Sequence, residues 1–500
     1  MGILGELQQL GRRQLVQLAA LGALFSAVLA LSLRTKGYVL DPDIWWHLRV
    51  GDWILQHRAV PKVGIFSRTA SVRPWMAYSW VFEVVLSRIY SWFGLLGFAC
   101  FGIVLSMLVS VTLFGTCYAL SRSFWRSWLL TLLGSYCYVY SLYPRPVFLS
   151  MVLFNLMLCM ILKAQRTGRL QILFWFPLLF LAWANVHIQF IYGLATFALY
   201  IAINAALRFL SRVRLEMSAF RAPSLPLLGL SVIFAASLAA SCIGPYSYKL
   251  FVVVFQYSKA TQTYSVIQEL QAPPFNSLAM FAFLFVIMAA FYSVGWRKKL
   301  DAYQLSLLLV ASLCAFRTVR DLWFAASSAI MVLADCPAET SDQDAVFSPT
   351  STLALTGAMA VLAFLLSANL GFNTRGIDHS ISQEYPVDAA NYLRRLHPEG
   401  PLYNEYDWGG FLIWYLSDYP VVIDGRNDLY GDAYVAHHIQ FSAGDRTDGN
   451  PQLDESGIVL LSKDAPLAKL LKFDSRFRLV YEDHLADVFL RNYGPGQETE

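Results

Sequence analysis

Two carboxylates, two indoles and an imidazole fall within Asp41-Pro42-Asp43-Ile44-Trp45-Trp46-His47, just after the first apolar run of the chain. Acids are scarce here, 34 Asp and Glu in 500 residues, so a pair of them beside a membrane face stands out. Asp41-Pro42 suits a turn. Residues from about Ile44 to Gln56 then carry the period of a short amphipathic helix, with Ile44, His47, Leu48 and Ile54 among its periodic positions. Trp45 and Trp46 are expected as an anchor at headgroup level, walling a lipid entrance. The acids have no such role in lipid. A carboxylate pair turned toward a cavity serves as general base or cation ligand. One acid can face that cavity while the other caps the helix, since Asp is a favoured N-cap. Asp43, which is nearer the Trp pair, is the preferred base and Asp41 the alternative.

Three further constellations carry chemistry. Asn185, His187 and Gln189 alternate between two apolar runs, so an extended loop would turn all three toward one side, fit for hydroxyls or phosphate; a polar helix–helix contact is the plainer reading. Arg145, set between Pro144 and Pro146, together with Arg317 and Arg320 offers guanidinium forks for a lipid phosphate or pyrophosphate. The plainer reading of these three is snorkelling to headgroups. Glu269 belongs to the same set of polar residues near span ends. Asp407, Trp408, Asp424 and Arg426, in Asp407-Trp408-Gly409-Gly410 and Asp424-Gly425-Arg426, are candidates for a sugar-binding lip, with a structural Asp–Arg pair as the alternative.

The elements that must position these residues are membrane helices. The chain is 57% hydrophobic and 14% charged, against about 25% charged in soluble proteins, with mean hydropathy +0.48. Apolar runs of helical length lie near 15–33, 94–120, 127–142, 147–162, 171–184, 188–207, 226–243, 277–295, 302–316, 322–334 and 351–370, about eleven spans. The first is expected to be a retained helix, and 76–92 a surface helix leading into the second. The seven Cys stop at Cys336 and suggest neither a disulfide framework nor a zinc site. Every second connection is rich in Lys and Arg, apart from the acidic 335–350, which predicts a cytoplasmic N-terminus. The other face collects Asp41, Asp43, His47, Arg73, Glu83, Arg145, Asn185, His187, Gln189, Tyr246, Lys249, Glu269, Arg317, Arg320 and Asp321.

After about residue 371 the long apolar runs stop. A helix is expected at 383–397 and strands at 401–404, 420–424, 457–461, 477–481 and 486–490, the last two as a hairpin. Helical patterns near 409–417, 428–440 and 465–472 make this a small α/β domain. The expected division is 1–370, a membrane domain with the 34–93 loop, and 371–500, an extracytoplasmic domain.

An acidic Asp41-Pro42-Asp43 loop directly after the first span resembles the integral membrane glycosyltransferases of the C-type fold. These include protein mannosyltransferases, aminoarabinose transferases and oligosaccharyltransferase catalytic subunits. The Asp407-Trp408-Gly409-Gly410 and Asp424-Gly425-Arg426 block is similar to the C-terminal domains of uncharacterised bacterial members. The resemblance implies a polyprenyl-phosphate-linked sugar donor, an envelope glycan, lipid or protein as acceptor, inversion, and a loop Asp as base in a bacterial inner-membrane protein. It implies no obligatory cofactor, although oligosaccharyltransferases need a divalent metal. Two rivals are a transporter or flippase of a lipid-linked substrate, which would keep its polar groups at the bilayer midplane, and a non-catalytic scaffold of an envelope assembly complex.

Overall fold

The computed structural model of the chain describes residues 12–35, 37–138, 145–213, 218–259, 261–336, 357, 361, 372–446 and 448–492. It is mostly helical with one small sheet near the C-terminus. The apolar runs expected as spans up to residue 334 are helical: Arg12–Thr35, Trp80–Ser121, Phe124–Cys137, Val147–Thr167, Phe176–Val186, Phe190–Arg212, Leu227–Ser241, Leu278–Gly295, Ala302–Arg317 and Leu322–Ala334. The expected run 351–370 lies outside the described residues, apart from single positions within it. Among the described helices, five are long and apolar enough to cross a membrane: Gln14–Arg34, Trp80–Ser121, Val147–Thr167, Phe190–Arg212 and Leu278–Gly295. The chain is an integral membrane protein. The expected surface helix and the second span form one helix, Trp80–Ser121, bent at Gly94, whose φ of 61° and ψ of −156° suit a residue without a Cβ.

The chain divides into two compact units. The first comprises residues 1–35, 102–248 and 269–372. Its helix ends are tied by two buried carboxylates. Asp301 caps Ala302–Arg317 by accepting the Gln304 amide at 3.1 Å, and it also accepts Gln165 Nε2 at 2.9 Å. Asp335 pairs with Arg166 and accepts Gln304 Nε2 at 2.8 Å, while Arg297 lies 3.9 Å away. Several of the cations that mark alternate connections in the sequence are therefore engaged in ion pairs.

The second unit comprises residues 36–101, 249–268 and 373–500. By contacts, the loop after the first span thus groups with the C-terminal region, whereas the sequence division at 370 puts it with the membrane helices. The loop holds a buried helix, Pro42–His57, that packs on Gly409–Tyr415. The sheet has strands β1 (Leu402–Asn404), β2 (Ile458–Ser462), β3 (Phe477–Glu482) and β4 (Ala486–Arg491) in the order β1-β2-β4-β3. β1 and β2 are parallel, and β3 and β4 form the expected antiparallel hairpin. The helix expected at 383–397 is Val387–Leu396, starting after Pro386, which has no amide to continue a ladder; a separate helix, Thr374–Glu384, precedes it. The run 420–424 is not a strand. Val421 bridges Ser67, its amide donating to Phe66 and its carbonyl accepting from Arg68, while the Asn404 side chain bonds Val422 and Ile423.

Candidate active site

In the second unit, Asp41 and Asp43 divide their tasks. Asp41 is fully buried and caps Pro42–His57, with φ −73° and ψ 119°, accepting the Asp43 amide at 3.0 Å. Pro42 fits the first helical position because its missing N–H would be unpartnered there anyway. Asp43 sits in the first turn, where the helix dipole favours an anion, and its Oδ1 accepts the Trp46 indole N–H at 3.2 Å. His47, one residue on, is buried, its Nδ1 3.0 Å from Glu83 Oε1. His47 is thus engaged within the protein, whereas the sequence reading makes it a substrate contact.

The indole pair is not an interfacial anchor. Trp45 has no exposed surface and stacks on Phe98 (5.4 Å between centroids) and Trp414 (4.6 Å), with edge contacts to Tyr385 and Phe411. Trp46 is 5% exposed and faces Trp75 edge-on. Burial on both faces of the helix leaves no indole to line a lipid entrance; the pair is core.

The expected sugar lip is likewise not an open surface. Asp407 is exposed, but Trp408 is buried and its indole N–H donates to the Glu384 carbonyl at 3.2 Å. Asp424 and Arg426 are fully enclosed: Nε and Nη2 of Arg426 each reach the carboxylate at 2.8 Å, and the Arg426 amide donates to Asp424 Oδ1 at 3.0 Å. Tyr430 donates its hydroxyl to Asp424 Oδ2 at 2.5 Å, and the guanidinium lies over the Trp75 ring, 4.8 Å from its centroid. This is the structural Asp–Arg pair. Trp75, Trp414 and Tyr430 were missed by sequence reasoning: nothing local marks Trp75 and Trp414, whose partners Arg426 and Trp45 lie hundreds of residues away, and Tyr430, six residues after Asp424, reads as an ordinary apolar position of a helical pattern.

In the first unit, Arg145 pairs with Glu269 at 3.0 Å. Burial raises the Glu269 pKa, but the positive fields of Arg145 and then Arg320 outweigh it and hold the carboxyl below its usual range. Arg320 also acts on Asp321, whose Oδ1 accepts the Tyr192 hydroxyl at 2.6 Å, and Arg317 is exposed beside them. Arg145, Glu269 and Arg320 are therefore brought together, as their common sequence setting anticipates.

Asn185, His187 and Gln189 do not line one extended loop. Asn185 lies in the last turn of Phe176–Val186 and its Nδ2 bonds the Leu181 and Ile243 carbonyls, each at 2.8 Å. His187 is buried, and its Nδ1 lies 2.8 Å from Ser150 Oγ, which also accepts the Trp183 indole N–H. Burial, then the Arg320 charge, push the His187 pKa down to about 3, so the ring is neutral. Gln189 precedes Phe190–Arg212, 7% exposed, with Oε1 unpartnered among the described residues. Helix-end geometry replaces the alternation, and Asn185 and His187 make the plainer helix–helix contacts.

Among the described residues, no three His, Cys, Asp or Glu side chains gather as metal ligands. No family model matches the chain, and no curated protein matches it. In shape it is similar to the archaeal oligosaccharyltransferase AglB from Archaeoglobus fulgidus in complex with an inhibitory peptide and a dolichol-phosphate. That pair shares 9% identity and a TM-score of 0.45, over 88% of this chain and 69% of that one. The apo oligosaccharyltransferase of the same organism gives 10% identity and a TM-score of 0.49 over the same shares. ArnT from Cupriavidus metallidurans bound to undecaprenyl phosphate gives 13% identity and a TM-score of 0.45, over 93% of this chain and 97% of that one.

Proposed function

We propose that this protein is a membrane glycosyltransferase of the C-type fold that moves a sugar from a polyprenyl-phosphate-linked donor to an envelope acceptor on the extracytoplasmic face, with Asp43 as general base. The reading is supported by an Asp-Pro-Asp loop following the first of a series of membrane helices. The observation that carries the choice of residue is the division of labour at the helix start. Asp41 is a fully buried cap, while Asp43 is half-buried in the first turn, its Oδ1 accepting the Trp46 indole N–H.

In the proposed step, Asp43 takes the proton of the acceptor hydroxyl as its oxygen attacks the anomeric carbon. The bond from that carbon to the phosphate oxygen breaks, its electron pair leaves with the lipid phosphate, and the configuration inverts. Arg145, Arg317 and Arg320 of the first unit are proposed separately as ligands of a lipid phosphate, because their guanidinium forks suit phosphate oxygens. Glu269 pairs with Arg145 and orients that guanidinium.

The experiment is transfer from an undecaprenyl-phosphate-linked sugar by full-length Asp43→Asn and Asp41→Asn proteins, with native mass spectrometry of the purified chain to identify the co-isolated donor. Asp43→Asn is expected to lose turnover by about 100-fold or more, the scale of a lost general base. Full turnover in Asp43→Asn would end the assignment.

A further inference from the structure

The sequence sets Gly410 and Gly425 far from the acid turn, yet the fold presses both against it. A Cβ added to Gly410 would lie 2.3 Å from the Pro42 carbonyl oxygen, and one added to Gly425 would lie 1.8 Å from Asp43 Oδ1 and 3.5 Å from Trp46 Nε1. The two obstacles differ in kind. At Gly410 the obstacle is main chain, so a side chain there must move the start of the Pro42–His57 helix. At Gly425 it is the end of a short side chain that rotates, so a methyl group moves the carboxylate and spares the backbone. Gly425 itself has little room to retreat. It lies between Asp424 and Arg426, both enclosed and joined by two 2.8 Å bonds, with Tyr430 closing on the same carboxylate.

We propose that Gly425 is a positioning residue that fixes the aim of the Asp43 carboxylate, holding it on the Trp46 indole N–H. The buried Asp424–Arg426 pair is the rivet that keeps Gly425 in place. The role of the Asp-Gly-Arg run is then to orient the proposed base from behind, and it contacts no sugar. This inference rests on the reading of Asp43 as that base.

The test is Gly425→Ala in the full-length protein in nanodiscs, beside Asp43→Asn, the double variant, and Gly449→Ala as a control at a glycine with open space around it. Gly425→Ala should lower kcat about 10-fold or more with KM for the undecaprenyl-phosphate-linked sugar within about two-fold. In the Asp43→Asn background it should change kcat less than about two-fold, because both changes act on one group. A second readout is independent of turnover: in 5-fluorotryptophan-labelled protein, the Trp46 resonance, assigned by its loss in Trp46→Phe, should shift in Gly425→Ala and in Asp43→Asn alike. An unmoved resonance overturns the proposal, as does a Gly425→Ala chain that fails to fold. Asp43→Asn inactive with Gly425→Ala fully active defeats the positioning role alone. Asp43→Asn fully active defeats the base assignment, and the positioning proposal falls with it.

Discussion

Asp424→Asn is the sharpest test of what holds the second unit together. The substitution keeps shape and removes only charge. It leaves the Arg426 guanidinium, with 0% of its side chain exposed, without its hydrogen-bonded carboxylate, while the Arg426 amide and the Tyr430 hydroxyl lose their ionised acceptor. Breaking one side of a buried ion pair costs about 3–5 kcal/mol, because the remaining charge stays desolvated. Each kcal/mol lowers the melting temperature by about 2–4 °C in a unit of this size, so a fall of roughly 6–20 °C follows. The assay is thermal unfolding of the full chain in detergent at one scan rate, since irreversible unfolding makes the midpoint rate-dependent. Arg426→Met should destabilise similarly, leaving an unpaired carboxylate. The double variant Asp424→Leu/Arg426→Met should recover most of the loss, as apolar replacement of a buried pair often does. A fall of less than about 3 °C in Asp424→Asn, or a double variant no better than the single ones, would refute the rivet.

Two further outcomes follow from geometry and charge. Asp432 accepts the amides of Thr261, Gln262 and Thr263 at 2.8, 2.8 and 2.7 Å; burial raises its pKa, but those bonds outweigh it and the net shift is downward. Its contribution is therefore complete above the usual carboxylate range and lost as pH falls through the lowered value; hydrogen exchange at 261–266 should quicken there, and at neutral pH in Asp432→Asn. His187, held neutral down to about pH 3, stabilises fully above its ordinary 6.5 and progressively less as pH falls toward 3, because only the unfolded chain takes up the proton. Replacing it with Gln should flatten that part of the stability–pH curve, and an unchanged slope would count against the burial.

Much of the architecture was legible in the sequence because lipid leaves helices few alternatives: uninterrupted apolar runs up to residue 334 had to be helical. The cap was legible too, since Asp before Pro marks a helix start by chemistry within three residues. What could not be read were partners distant in sequence. Trp45 has the same composition signal whether it meets headgroups or Trp414, and only the 414 contact decides. Val421-Val422-Ile423 looks like a strand, yet its backbone is satisfied by Phe66, Arg68 and the Asn404 side chain. Asn185, His187 and Gln189 alternate as a strand would, but a helix ends at Val186 and another begins at Phe190, so their directions diverge. Pro386, by contrast, was a break the sequence displayed and the single-helix expectation overrode.

The bridge between Ser67 and Val421 has a consequence for biosynthesis. The loop bearing Asp43 and Ser67 leaves the ribosome about 350 residues before Val421, which bridges Ser67, and before the helix that covers Trp45. Until then Trp45 lacks the cover of Trp414 and Phe411, and a chain released early carries the acids without the backing that aims them. Completion of translation is thus built into the assembly of the acid turn, so nonsense fragments ending before residue 409 should be inert however well their membrane helices insert.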